Sequence, residues 1–339
     1  MGKRITIKDV ANYSGFSTST VSIVLNNKGS RIPVEARDRI ISAAKELNYI
    51  PNINARSLVS GRSRTIGVVI PDISNSFFST LVHDIQIELN SKGYDVFLCN
   101  SDEKLSNDLK YIELLKCRDV DGMILALGAE SMKSENLEKI KNLLDNLSIP
   151  IVLLDRYFEY NTNKVTIDNY SSGKNVIKVL YENNHRKIGL ITGPLSLSSS
   201  RDRLDGVISF LTEKGLKLDN NLIYEGKYNY DSGYEGARKL INNGATAIFA
   251  FNDLQAYGVI SYCNEMNINI PKELSVIGFD DLETSRIINP KLSTVRQPLD
   301  EMSLEVCKAI IDALDGKDEI KDVKLKTQII LRDSVSKYE

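Results

Sequence analysis

TIKDVANYSGFSTSTVSIVL, residues 6–25, decides how the N-terminal end of this chain folds. Thr6 suits a helix N-cap, Asp9 three residues on completes a capping box, and Val10 and Ala11 supply a short apolar face. That helix should stop at Ser14-Gly15, because glycine tolerates the left-handed backbone a C-cap needs. Ser17 then caps a second helix from Thr18 to about Leu25. Two short helices about a glycine-containing turn make a helix-turn-helix. A third helix, starting near Pro33, sets Ala36, Ile40, Ala44 and Leu47 on one face, a stripe able to pack the first two. The second helix is left presenting Thr18, Ser19, Thr20, Ser22 and Ile23, short side chains that reach phosphates or base edges. A three-helix bundle built for protein contacts would share this pattern, and charge helps to weigh the two.

The chain has 339 residues, with 43 Lys+Arg against 45 Asp+Glu, but the balance is uneven. Residues 1–64 carry eleven basic and four acidic side chains, a net +7, and the remainder carries −9. A basic head ahead of an acidic body suits contact with a polyanion through the head alone. The length exceeds what one core usually organises, so two or more domains are expected. Apolar residues make up 42%, the longest apolar runs (149–154 and 245–251) are of strand length, and no membrane span is expected. Four cysteines, at 99, 117, 263 and 307, lie far apart, and Met1-Gly2-Lys3-Arg4-Ile5 opens no secretory signal, which points to the cytoplasm.

From Thr65 onward, apolar runs alternate with helical patterns. Strands are expected at 65–70, 95–100, 122–127, 151–154, 187–191, 247–251 and 275–279, with a short one at 293–296. Helices are expected at 78–92, 108–118, 137–146, 170–183, 203–214, 231–242 and 254–267. Such alternation means doubly wound parallel sheets, and about 275 residues suit two of them, joined by crossovers near 163–168, 290–295 and 318–324. Ligands in these folds sit beyond the carboxyl ends of the strands. That rule selects Asn75, Phe77 and Phe78; Asp155-Arg156; the loop to Arg203; Asn252-Asp253; Phe279-Asp280-Asp281; and Gln297. Singly, each is a common helix cap, ion pair or core residue. Together they offer aromatic faces for the C–H side of a sugar and planar multidentate partners for its hydroxyls.

Several runs carry a family resemblance: Thr6-Ile7-Lys8-Asp9-Val10-Ala11, Gly15-Phe16-Ser17, Thr20-Val21-Ser22, Val24-Leu25-Asn26, Glu46 to Asn52, Ala55-Arg56-Ser57-Leu58 and Ile66 to Pro71. They resemble the lactose/galactose repressor (LacI/GalR) family of transcriptional regulators, and the resemblance extends along essentially the whole chain. It implies a helix-turn-helix head at 1–50, a hinge at 51–61 and an effector-binding and dimerisation body at 62–339. The body would be of the periplasmic-binding-protein-like type, one subdomain at about 65–163 plus 295–320 and the other at about 166–292 plus 323–339. The second helix would then enter the major groove, with Thr18, Ser19 and Ile23 toward base edges. Thr6, Ser17, Thr20, Ser22, Asn26, Tyr49, Asn52, Ala55 and Arg56 would complete the DNA-binding set, and Leu58 would wedge between base steps in the minor groove. Residues 52–60 alone read as a marginal helix or an ordinary linker. Family members commonly carry Arg where this chain has Ile23, which implies an altered operator preference.

Within that wider fold group, Asn75, Phe77, Phe78, Asp155, Arg156, Arg203, Tyr228, Asn252, Phe279, Asp280 and Gln297 look most like the pentose-holding positions of ribose-binding proteins. Purine-responsive relatives usually have a second Arg near Leu197, which is absent here. The resemblance implies a cytoplasmic homodimeric repressor on a palindromic operator, released by ribose or a similar monosaccharide. Alternatives are a purine or sugar-acid effector, or a phosphorylated carrier protein as corepressor. No cofactor, metal or enzymatic activity is expected: phosphate-loop, nucleophile-elbow and zinc motifs are missing, and His83 and His185 stand alone.

Overall fold

The computed structural model describes residues 5–25, 32–49, 62–317 and 319–339. It divides into two units, Met1–Ser63 and Arg64–Glu339. The first holds α1 (Ile7–Ser14), α2 (Thr18–Leu25) and α3 (Val34–Glu46). The start of α1 follows from Thr6, whose N–H and hydroxyl both donate to the Asp9 carboxylate at 2.7 and 2.6 Å. Gly15, at φ 76°, ends it, and the Ser17 hydroxyl accepts the Thr20 N–H at 3.1 Å to open α2. Val10, Ala11, Val21, Val24, Ile40, Ala43 and Ala44 form the core. Of the expected stripe on α3, Ile40 and Ala44 are buried, whereas Ala36 and Leu47 are half-buried and Ala43 joins the core, because α3 packs against both other helices. The Tyr13 hydroxyl donates to Glu46 at 2.6 Å and ties α1 to the end of α3.

In the second unit, β1 (Thr65–Ile70), β2 (Asp95–Asn100), β3 (Gly122–Leu125), β4 (Ile151–Leu154), β5 (Asn163–Ile167) and β11 (Asp322–Leu325) form, among the described residues, a six-stranded parallel sheet. Its order is β11-β5-β4-β3-β1-β2, with Ile66 opposite Val96 on one side and Gly122 on the other. Four more strands, β6 (Ile188–Thr192), β7 (Ile223–Glu225), β8 (Ala247–Ala250) and β9 (Ser275–Ile277), make a parallel sheet ordered β7-β6-β8-β9. An antiparallel ribbon pairs β10 (Thr294–Arg296) with β12 (Gln328–Ile330). The first sheet is served by α4 (Ser76–Ser91), α5 (Leu105–Cys117), α6 (Ser134–Asp145) and α11 (Leu299–Leu314). Beside the second lie α7 (Asn169–Glu182), α8 (Ser198–Glu213), α9 (Tyr230–Asn242) and α10 (Asp253–Glu265). Buried runs such as Ile66, Val68, Val69 and Ile70 explain the inner strands, which are covered on both faces, whereas the edge strands β2, β7 and β11 are partly exposed.

Several expectations need correction. Residues 163–168 and 318–324, expected as crossovers, also hold β5 and most of β11, paired to each other in the first sheet, and the chain passes on to α7 directly after β5. Sixteen-residue α11 was not anticipated; it packs on α4 and on β3, β4 and β5. Helices also start earlier than their apolar period suggests, α8 at Ser198 rather than Arg203. Two helix pairs cross at glycines. A Cβ on Gly173 would collide with the Arg203 carbonyl oxygen, and one on Gly233 with that of Gln255, so only glycine permits these approaches. Among the described residues no helix is long and apolar enough to cross a membrane.

Candidate functional site

Two surfaces collect the residues singled out by sequence. On α2, Thr18, Ser19 and Ile23 are exposed, Ile23 by 44%, while Thr20 and Ser22 are half-buried. The Ser17 hydroxyl lies 2.8 Å from those of Ser19 and Thr20, so it serves the helix start before any ligand. Thr6 is exposed with its hydroxyl committed to Asp9, and half-buried Tyr49 gives its N–H to the Ala44 carbonyl at 2.9 Å. Asn26, Asn52, Ala55, Arg56 and Leu58 lie outside the described residues. An exposed row of short hydroxyls beside an aliphatic side chain has the chemistry of a DNA-groove contact, since hydroxyls can meet base edges or phosphates and an aliphatic side chain can meet a thymine methyl.

The second surface is a small cavity of about 30 Å³ in the body. Asn75, Phe77, Phe78, Asp155, Arg156, Arg203, Tyr228, Asn252, Asp280 and Gln297 line it, together with Ser199 and Phe251. Phe279 does not; it is fully buried, its ring lying 3.2 Å beneath the Arg203 guanidinium carbon. Asn75 and Asn252 turn out to be both helix caps and cavity walls. Each side-chain carbonyl accepts a backbone N–H, Phe77 at 3.0 Å and Gln255 at 2.9 Å. Phe77 and Phe78 meet edge to face, centroids 4.9 Å apart.

Three acidic residues at or beside the strand ends have left-handed backbones: Asp155 at φ 64°, Asp280 at 120° and Asp281 at 57°. Side chains other than glycine pay for that conformation, and such residues gather where geometry serves a ligand. Asp281 points away from the cavity and is bound by Arg332, Arg296 and Arg286, which holds its carboxyl below the usual range despite burial. Asp155 and Asp280 face the cavity, and burial raises both. Asp280 accepts from Gln297 Nε2 at 2.7 Å, leaving Gln297 Oε1 buried and unpartnered. Arg203 gives Nε and Nη2 to Asn169 Oδ1 at 3.2 and 2.6 Å and Nη1 to the Phe251 carbonyl. Arg156 forms an end-on, two-point pair with Glu103, a residue that sequence reasoning missed, and its buried Nε makes no hydrogen bond but lies 3.6 Å from Asp155 Oδ2. One acceptor and one donor on two residues of the cavity wall thus remain without a hydrogen bond.

Beneath the cavity, fully buried Asp253 accepts from the Leu282 N–H at 2.9 Å and from the Ser285 and Thr294 hydroxyls at 2.6 Å each. Burial nevertheless pushes its carboxyl up to about 6, since three neutral donors do not replace lost water. A folded-state value raised above the unfolded one gives stability that is complete below about pH 4 and lost as pH climbs through about 6. Asp281 acts in the opposite sense, but at lower pH. Stability measured by urea unfolding is therefore expected to fall by about 1 to 3 kcal/mol between pH 4.5 and 7, and the cost of Asp253→Asn to be larger at pH 4.5. A cost equal at both values would show that Asp253 does not titrate there.

Among the described residues no group of His, Cys, Asp or Glu could hold a metal ion. Comparison with known proteins agrees with a regulator's architecture. Residues 6–52 match the family model for bacterial regulatory proteins, lacI family, and residues 177–335 match that for a periplasmic binding protein-like domain. The chain is 34% identical to the HTH-type transcriptional regulator DegA of Bacillus subtilis (strain 168), covering 98% of each. Identity is 31% to the HTH-type transcriptional repressor PurR of Haemophilus influenzae (strain PittEE), over 97% of this chain and 98% of that one. A crystal structure of the lac repressor dimer bound to operator and the anti-inducer ONPF superposes with a TM-score of 0.88 at 25% identity, covering 98% of this chain and 100% of that one. A LacI family regulator from Enterococcus faecium with bound ribose gives 0.73 at 27% identity, over 81% and 100%.

Proposed function

Because this chain belongs to the lacI family of bacterial regulatory proteins and is a DNA-binding transcriptional regulator rather than an enzyme, we propose that it represses carbohydrate uptake or catabolic genes and is released by ribose or a similar monosaccharide. One observation carries the effector assignment: ten of the eleven side chains expected to hold a pentose line a single cavity. The aromatic rings supply a face for the sugar's C–H groups, and Arg, Asp, Asn and Gln supply paired donors and acceptors for its hydroxyls. The ribose-bound structural neighbour supports the same chemistry.

In this reading residues 1–50 are the operator-binding head, 51–61 the hinge and 62–339 the effector-binding and dimerisation body of a cytoplasmic protein. Two copies place two heads on a palindromic operator, and the lac repressor neighbour is a dimer bound to operator. The effector binds between the lobes and favours one arrangement of them. Operator and effector affinities are then coupled, typically by about 1 to 3 kcal/mol and reciprocally.

The test is operator affinity at fixed salt, with and without ribose, other pentoses, hexoses, sugar acids and purines. Release by ribose supports the proposal. Release by a purine, or tightening by a phosphorylated carrier protein with no response to free sugars, replaces it. The altered base reading is tested separately, because Ile23 lacks the bidentate donors that read guanine. In a binding-site selection, Ile23→Arg is expected to shift the preferred base to guanine at one symmetry-related position, a change worth about 1 to 3 kcal/mol per contact. An unchanged preference would mean that Ile23 faces no base.

A further inference from the structure

Glu103 is not part of the cavity wall, yet it sets the wall's charge. Oε1 accepts from Arg156 Nη2 at 3.0 Å, and Oε2 accepts from Nη1 at 2.9 Å and from the Ala129 N–H at 2.6 Å. Arg156 Nη1 also donates to the Leu127 carbonyl at 2.9 Å. The Arg156 side chain is 2% exposed and that of Glu103 38%, so the carboxylate takes the guanidinium from behind, on the solvent side. Backbone geometry commits Glu103 to this role, since it sits at φ 58° next to Asp102 at 56°.

The consequence is a matter of charge balance. Two guanidinium groups and two carboxyl groups line the cavity, those of Arg156, Arg203, Asp155 and Asp280. Glu103 adds a further negative charge through Arg156, so no cation is left over. A neutral polyol needs none. A carboxylate or phosphate brought into a buried site without a counter-charge is strongly disfavoured.

Resting on the sugar reading above, we propose that Glu103 is a specificity-determining residue: by neutralising Arg156 from outside the cavity, it excludes anionic sugars, aldonic acids and sugar phosphates alike, and admits neutral monosaccharides. Calorimetric titration of the full chain with ribose, ribonate and ribose 5-phosphate, at one salt concentration, tests it. Wild-type protein is expected to bind ribose and to bind both anions at least about 100-fold more weakly. Glu103→Gln, which removes the charge and keeps the shape, is expected to narrow that ratio by about tenfold. Glu103→Asp, which keeps the charge, should retain the exclusion even where ribose affinity falls. An unchanged ratio in Glu103→Gln with ribose still bound overturns the proposal. So does a wild-type protein that takes ribonate as tightly as ribose, a result that depends on no variant. Wild-type protein that binds no neutral sugar overturns instead the effector assignment on which this rests.

Discussion

Arg203→Ala is expected to yield a protein that binds operator as tightly as wild type and no longer releases it when pentose is added. The Arg203 guanidinium is 3% exposed, stacked on Phe279 and held by Asn169 and the Phe251 carbonyl, with one side in the cavity. Truncating one member of a buried charged hydrogen-bonding set costs about 2 to 5 kcal/mol, so effector affinity should fall by about 30-fold or more. Head residues that meet DNA belong to a unit with its own core, so operator affinity without effector is the matched control. Arg203→Lys separates charge from shape. Lysine keeps the positive charge and lacks the planar fork, and it is expected to restore little. Release of Arg203→Ala from operator at the wild-type effector concentration would show that the effector binds elsewhere.

Gly173→Ala should be nearly as damaging, though it adds one methyl group and touches no ligand. The new carbon would stand inside the Arg203 carbonyl oxygen, and backbone cannot rotate away as a side chain does. Overpacking of this kind costs about 1 to 3 kcal/mol, occasionally more. Because the displaced peptide is that of Arg203, the variant is expected to lose urea stability and effector affinity together. Gly206→Ala makes a useful second case, since its Cβ meets the carbonyl of Tyr170 and not that of Arg203, one turn along the same helix pair. Comparable loss of stability with smaller loss of affinity is expected there. Wild-type stability in Gly173→Ala would mean that α7 and α8 separate at little cost.

Much of the fold was legible because burial leaves a strong local signature. Strands 65–70, 95–100 and 151–154 have the bounds their apolar or alternating runs suggest. Helix starts were misjudged where the first turn is polar: Ser198 to Asp202 belong to α8, yet carry no apolar period. β5 (NKVTI) and β11 (DVKL) resemble connections because lysine interrupts short runs; β5 pairs with β4 only 11 positions back, but β11 pairs with β5 about 160 residues away and leaves no local mark. Most cavity residues were accessible through the strand-end rule, which needs only the order of elements, whereas Tyr228 came from the family resemblance alone and Ser199 and Phe251 from neither. That rule also counted Phe279, which the structure places under Arg203 instead. Glu103 escaped it. In Asp102-Glu103-Lys104 it looks like one more surface acid, and only folding brings it to Arg156, 53 positions on.

The position of β11 also bears on how the protein is made. The three head helices are complete once residue 49 has left the ribosome, whereas the six-stranded sheet needs residues 322–325 for its edge strand and 299–314 for the helix that packs on it. At about 5 to 20 residues per second, close to 280 further residues occupy roughly 15 to 55 s of translation. During that interval a folded basic head trails from a ribosome beside a sheet whose last strand does not yet exist. Each new molecule therefore acquires its attraction for nucleic acid well before its capacity to be regulated.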